Sequence, residues 1–257
     1  MPAKEPVPST LTDELRRLNA AAATRFGVAP NVHPKDLIYW FLLNLPSLAT
    51  TEKAVDYYFE DGCSSSKKLA DLIVELGYSD RVRLLEFASG YGMVSRHLKT
   101  NSRLALTSCD IHDEALVFLK DELGIDTLGS DMVPEKFAPA DKFDIVFVLS
   151  LFSHLPRATF GRWLRSLFST LKSPGYMVFT THGTATYKLK AIPIPSDGFL
   201  FLPHSEQKDI EPDEYGTTIT TPDFVIGEIY RQVGAPIVAY KYAHWWEHQD
   251  LWVIKRP

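Results

Sequence analysis

The stretch Arg83-Leu84-Leu85-Glu86-Phe87-Ala88-Ser89-Gly90-Tyr91-Gly92 decides how the chain is read. Residues 82–87 are apolar and charged only near the ends, the pattern of a short buried strand. Small residues then follow in quick succession at Ala88, Ser89, Gly90 and Gly92, and residues 93–98 read as the start of a helix. Strand, small-residue turn and helix is the arrangement by which a parallel α/β sheet binds a nucleotide. Small residues let the backbone approach the ligand, and a helix start offers unpaired N–H groups. Glu86 sharpens the reading. A carboxylate at the end of the strand is unfavourable beside a pyrophosphate and favourable beside a ligand that carries an ammonium and ribose hydroxyls.

The pattern Glu86-x-Ala88-x-Gly90-x-Gly92 resembles the first motif of class I S-adenosylmethionine (SAM)-dependent methyltransferases, an acidic residue followed by three alternating glycines. Ala88 stands where the first glycine is usual. The resemblance runs from about residue 65 to the C-terminus. It implies an α/β, Rossmann-like fold: a seven-stranded, mostly parallel sheet with an antiparallel last strand, helices on both faces, and a helical N-terminal cap. It implies SAM as the cofactor, with Glu86, Ala88, Ser89, Gly90 and Gly92 in its binding loop. The same residues also half-match the dinucleotide fingerprint through Gly90-x-Gly92-x-x-Ser95, so a nicotinamide- or flavin-dependent oxidoreductase is the first rival. A non-catalytic protein of the same fold that binds a partner is the second.

The chain has 257 residues, enough for one α/β domain with a small cap. A net charge of −5 weighs against a nucleic-acid partner, which usually leaves a basic footprint. Cys63 and Cys109 make no disulfide framework, and Cys109 reads as a reduced core thiol. No apolar run is long enough to span a bilayer, and residues 1–12 lack the apolar core of a signal peptide, so the expected location is cytoplasmic. The sequence leaves the oligomeric state open.

Residues 1–10 read as a frayed tail. Four helices are expected next: residues 11–25 stopping at Gly27, a second from Pro34 ended by Pro46, a third over 51–60 stopping at Gly62, and a fourth from Ser64 or Ser65 to Gly77. Together residues 1–78 form the expected cap, and 79–257 the SAM-binding domain. In the resembled family such helices cover the cofactor, and Tyr58 is the contact singled out; a core role is the alternative.

Residues 104–109 read as the second strand, and Asp110 ends it 24 residues past Glu86. An acidic residue at about this distance holds a nucleotide ribose by its hydroxyls. The alternative is an N-cap for the following helix, residues 113–123. The resemblance places Ile111 against the adenine. It gives Asp131 the adenine amino group, with Ser130 and Met132 beside it; a turn aspartate is the alternative. Residues 142–149 form the clearest strand, a continuous apolar run whose exit at Leu149 lies beside the methionine part of SAM in the family. Ser150 to Pro156 resemble the family's segment ending in His-Leu-Pro. A helix over 159–171, a Ser173-Pro174-Gly175 turn and a strand over 176–181 follow.

His182 leaves that strand at the sheet's carboxyl edge. Residues 184–221 read as a long insertion or lid, with His204, Glu206, Gln207, Glu214 and Tyr215 as candidate acceptor contacts and His204 and Tyr215 carried forward. A helix over 223–233 and two strands, 236–243 and 250–255, close the chain. Methyl transfer to a hydroxyl needs that hydroxyl's proton removed, which a histidine can do near neutral pH. His182 is the first candidate and His154 the second. No convincing third ligand joins His244 and His248, so no metal is expected. The family stretch that serves nucleic-acid amino groups is replaced by residues 150–155. With the acidic charge, this points to a small-molecule or sugar acceptor, and the ending resembles bacterial members linked to polysaccharide synthesis.

Overall fold

The computed structural model describes residues 10–205, 207 and 209–257. The tail reading of residues 1–9 and the contact expected of Glu206 lie outside the described residues. The helices are α1 (Asp13–Phe26), α2 (Leu37–Leu43), α3 (Thr51–Glu75), α4 (Ser95–Leu98), α5 (Asp113–Asp121), α6 (Arg157–Ser169), α7 (Thr184–Lys190) and α8 (Pro222–Gln232). The strands are β1 (Val82–Phe87), β2 (Leu104–Asp110), β3 (Asp126–Gly129), β4 (Phe143–Val148), β5 (Leu171–His182), β6 (Phe199–Leu202), β7 (Thr217–Thr220), β8 (Ile237–Trp245) and β9 (Gln249–Arg256). The nine strands among the described residues exceed the expected seven, because the insertion carries a hairpin of its own. The chain divides into two compact units, Met1–Arg81 with Ser89–Gly129, and Val82–Ala88 with Ser130–Pro257.

In the first unit, α1 starts where the Thr12 side chain accepts from the Leu15 N–H and ends at Gly27, whose φ of 65° is left-handed. Leu15, Ala22 and Ala23 of α1 pack with Tyr39, Leu42, Val55, Tyr58 and Phe59 in one core. Two buried polar contacts tie α1, α2 and α3 together. The Tyr39 hydroxyl donates to Asn19 Oδ1 at 2.7 Å, and the Tyr58 hydroxyl donates to Asp36 Oδ2 at 2.6 Å.

The two helices expected on either side of Gly62 are one, the 25-residue α3. A glycine lowers helix propensity by about 1 kcal/mol, too little to stop a helix that packs well. Gly62 instead permits a close crossing: a Cβ there would lie 2.2 Å from the Met93 carbonyl oxygen and 2.9 Å from the His97 ring. Residues 1–81 share their compact unit with residues 89–129. Arg96, which is buried, donates through Nη1 to the carbonyls of Ala29 and Asn31 and through Nε to that of Gly92. Its guanidinium lies over the rings of Tyr58 and Phe59. The N-terminal segment is thereby bonded to the glycine loop in one unit. β2 and β3 pair in parallel, Asp110 opposite Gly129.

In the second unit, β1, β4 and β5 run parallel, with Glu86 opposite Phe147 and Phe147 opposite Val178. β9 runs antiparallel along β5 from Gly175 to His182, as expected of the last strand, and β8 pairs with β9. β5 takes in the Ser173-Pro174-Gly175 segment that reads as a turn, with a register irregularity between Phe143 and Ile145 of its partner. β6 and β7 form an antiparallel pair, and β7 meets β5 at His182. The insertion is therefore structured rather than a long loop. No described helix is long and apolar enough to cross a membrane.

Candidate active site

The glycine loop sits in the first unit. Gly90 and Gly92 have φ of 55° and 82°, left-handed values that favour glycine. A Cβ at Gly92 would come within 2.8 Å of Leu119 and Leu123, whereas one at Gly90 would meet nothing within 4 Å. Ala88, the residue that departs from the family pattern, also has a left-handed φ, 59°, and so carries the strain that a glycine would relieve.

Asp110 organises this loop. Its buried carboxylate accepts from the Gly90 N–H at 2.7 Å through Oδ2. Through Oδ1 it accepts from the N–H groups of Ile111 and His112 at 2.8 and 3.1 Å, and it lies 2.7 Å from His112 Nδ1. It is not the N-cap of α5; that position is His112. The loop amides are not unpaired, which corrects the expectation of a ready helix start. Ser89 donates to the Cys109 carbonyl, Gly90 to Asp110 and Gly92 to the Ser89 carbonyl, and α4 is only four residues long. Amides already turned on protein oxygens do not form the cradle a pyrophosphate requires.

Tyr91 is stacked on His33, with centroids 4.5 Å apart and planes 6° from parallel. Sequence reasoning missed both this stack and Arg96, because each joins segments distant in sequence. Tyr58 is corrected to a core residue: it is 0% exposed, its hydroxyl is taken by Asp36, and burial pushes that hydroxyl well above its ordinary pKa. Burial also pushes the Cys109 thiol up, as suits a reduced core cysteine.

The second unit holds Glu86, Ala88, Ser130, Asp131, Met132 and Leu149. Glu86 is buried at the penultimate position of β1. Asp131 lies past β3, not in it, and accepts from the Val133 N–H at 2.8 Å, a local turn, with Lys136 Nζ 3.8 Å from its other oxygen. Met132 is exposed and Leu149 half-buried.

At the exit of β4, Ser150 has a left-handed φ of 67°. A closed set of hydrogen bonds holds this kink. The Ser150 N–H donates to Thr180 Oγ1 at 2.8 Å, Thr180 Oγ1 donates to Gln249 Oε1 at 2.6 Å, and Gln249 Nε2 donates to Ser150 Oγ at 2.9 Å. Sequence reading had no signal for Gln249, since the contact joins residues 150 and 249.

Three histidines meet at this edge. The His182 ring lies 6.2 Å from that of His154 and 5.4 Å from that of His248. His182 Nδ1 is buried with no hydrogen-bond partner among the described residues. Burial, then the neighbouring His154 and His248, push His182 down to about 3, so it is neutral at physiological pH. Nδ1 of His154 lies 2.7 Å from the Gly216 carbonyl, and Nδ1 of His248 2.6 Å from the Trp246 carbonyl. Tyr215 is stacked on His154 at 4.5 Å. His204, the other expected acceptor contact, is exposed, and its carbonyl accepts from Thr217 Oγ1. Trp245 and Trp252 are buried core residues.

Comparison with known proteins bears on the family and the fold. Residues 56–212, more than half of the chain, match the family model described as a methyltransferase domain. A malonyl-[acyl-carrier protein] O-methyltransferase from Calditerrivibrio nitroreducens is 28% identical over 162 residues, which cover 59% of this chain and 60% of that protein, so the match spans less than two thirds of that relative. Among solved structures, the glycopeptide N-methyltransferase MtfA complexed with SAM is similar at a TM-score of 0.56 and 16% identity, over 77% of this chain and 88% of that one. An amino pentose methyltransferase from Micromonospora echinaspora is similar at a TM-score of 0.55 and 14% identity, over 76% and 92%. At such identities the structural likenesses establish the fold, a Rossmann-like sheet with antiparallel end strands. On the match of more than half its length, the chain belongs to the methyltransferase domain family.

Proposed function

We propose that the protein transfers the methyl group of SAM to a hydroxyl of a small molecule or sugar. SAM supplies a methyl on a positively charged sulphur, whose bond to that methyl breaks as the acceptor oxygen bonds to it. The residues fit such a donor better than a dinucleotide. The amides of Ser89, Gly90 and Gly92 are bonded to protein oxygens rather than offered to a pyrophosphate, and Glu86 and Asp110 are buried acids of the sign a cationic donor requires. In this reading Asp110 holds the ribose hydroxyls and Ile111 packs on the adenine. Asp131, with Ser130 and Met132, takes the adenine amino end, and Glu86 and Leu149 serve the methionine part. The backbone of Ala88, Ser89, Gly90 and Gly92 forms the close wall.

The observation that carries the hydroxyl acceptor is the histidine group. His182 is neutral, with His154 and His248 beside it. A neutral imidazole at His182 suits the orientation of an uncharged hydroxyl, and it lacks the positive charge with which a carboxylate or phosphate would be held. An amine acceptor is the second reading, favoured by the similarity to the glycopeptide and amino pentose methyltransferases.

The test is transfer of labelled methyl from SAM onto nucleotide sugars, free glycans, small phenols and matched amino sugars. Label on a hydroxyl is expected. Label on the amino sugars alone would replace this reading with the second. SAM binding without transfer to any of them would favour the non-catalytic rival.

A further inference from the structure

His154 and Gly216 are joined by two reciprocal hydrogen bonds. The Gly216 N–H donates to the His154 carbonyl at 2.9 Å, and His154 Nδ1 lies 2.7 Å from the Gly216 carbonyl. A carbonyl can only accept, so Nδ1 carries the hydrogen and, in the neutral ring, Nε2 carries the lone pair. The Tyr215 ring lies flat on the same imidazole, 5° from parallel. One segment thus supplies a ring to the face of His154 and a carbonyl to its edge. A glycine is required for this approach, because a Cβ at Gly216 would lie 2.3 Å from the Leu202 carbonyl and 2.7 Å from the Phe201 ring. Thr218 Oγ1, two residues on, donates to the Leu155 carbonyl and fixes the register of the same segment.

We propose that Tyr215 and Gly216 are positioning residues for His154, selecting the tautomer whose Nε2 accepts the proton of the acceptor hydroxyl. This rests on the hydroxyl-methylation reading. The hydroxyl's proton moves to Nε2 as its oxygen takes the methyl, leaving an imidazolium whose Nδ1–H still donates to Gly216. The carbonyl stabilises that charge, the part an orienting acceptor plays behind a general base. His182, the first candidate from sequence, is less suited to the proton. Its burial and the two neighbouring histidines make the charged ring unfavourable, outweighing its backbone hydrogen bond with Thr218, and its Nδ1 has no hydrogen-bond partner among the described residues. The insertion is therefore part of the catalytic apparatus and not merely a cover.

The experiment reads the tautomer directly in the full chain labelled with 15N-histidine, with His154 assigned from its loss in His154→Asn. Asparagine places an amide nitrogen near the position of Nδ1, so this variant keeps a donor toward Gly216 and is expected to fold. At pH 8 the wild type should show a neutral His154 protonated at Nδ1. Tyr215→Phe should keep that form. Tyr215→Ala removes the ring that holds the imidazole flat against this segment; with the imidazole free to leave the Gly216 carbonyl, the Nδ1–H to Nε2–H ratio should move up to roughly tenfold toward Nε2–H, the worth of that one neutral hydrogen bond. A wild-type His154 protonated at Nε2, or a ratio unmoved in Tyr215→Ala, would overturn the proposal. Calorimetric titration of the same samples with SAM keeps the two readings apart. SAM binding with the Nε2–H form defeats the positioning role alone. The Nδ1–H form without SAM binding upholds the geometry and counts against methyl transfer.

Discussion

Replacing Ala88 by glycine should stabilise the protein, an unusual direction for a substitution in a ligand loop. Ala88 holds a φ of 59°. A left-handed conformation costs an L-residue about 1–2 kcal/mol, which glycine does not incur. Against this, glycine gives the unfolded chain extra freedom worth about 0.4–1 kcal/mol. The difference favours Ala88→Gly by about 0.5–1 kcal/mol, or roughly 1–4 °C in Tm for a chain of this size. Two companions set the scale. Gly90→Ala adds the same strain at φ 55° but meets no atom within 4 Å, so it should cost about 0.5–1 kcal/mol. Gly92→Ala adds strain and also drives a methyl to within 2.8 Å of Leu119 and Leu123. Overpacking of that kind costs about 1–3 kcal/mol more. The assay is the urea midpoint of the three variants beside the wild type. The expected order is Ala88→Gly above wild type, then Gly90→Ala, then Gly92→Ala. An Ala88→Gly variant less stable than wild type, or Gly90→Ala as damaging as Gly92→Ala, would refute the reasoning from backbone strain and close packing.

Three further outcomes follow from the same geometry. Gly62→Ala, which in an exposed helix would stabilise by about 1 kcal/mol, should here destabilise by about 2 kcal/mol or more in the same urea assay. The added methyl would face the Met93 carbonyl at 2.2 Å. His182 is pushed down to about 3 from an ordinary 6.5 by burial and then by His154, His248 and Lys190. The unfolded chain therefore binds the proton first, so the stability tied to this residue is full above about pH 6.5 and is lost as pH falls toward about 3. The slope approaches about 1.4 kcal/mol per pH unit, and His182→Asn should remove about one such slope between pH 6 and 4, read as the difference in urea midpoint from wild type. Asp110→Asn turns an amide donor or a lost acceptor toward the loop N–H groups that the carboxylate now satisfies. A loss of about 1.5–3 kcal/mol, roughly 10- to 150-fold in SAM affinity by calorimetry, is expected.

Much of the fold was legible because it depends on local pattern. β1, the glycine turn and Asp110 were placed from a buried strand, a run of small residues and the distance to the next acid. The apolar run at the chain's end marked β9 as a strand, and the family resemblance implied that it runs antiparallel. Readings failed where a residue's meaning is set by a distant partner. Gly62 reads as a helix stop until Met93 is seen against it. Tyr58 reads as a cofactor contact or a core residue until Asp36 takes its hydroxyl and settles it as core. The β6–β7 hairpin did leave a signal, since Phe199–Leu202 is a short apolar run and Thr217–Thr220 is rich in β-branched residues. The prolines and polar residues between them masked it. The His154–Gly216 pair joins positions 62 residues apart and had no local signature at all.

The central claim is that the Asp110-bonded glycine loop serves an adenosine donor without phosphates. It is tested most directly by titrating the wild type and Asp110→Asn with SAM, with its demethylated product, and with NADH and NADPH, following heat of binding and Tm together. The account predicts that SAM and its product bind and raise Tm, that both effects fall in Asp110→Asn, and that neither dinucleotide does either. Binding of NADH or NADPH with none of SAM would contradict it.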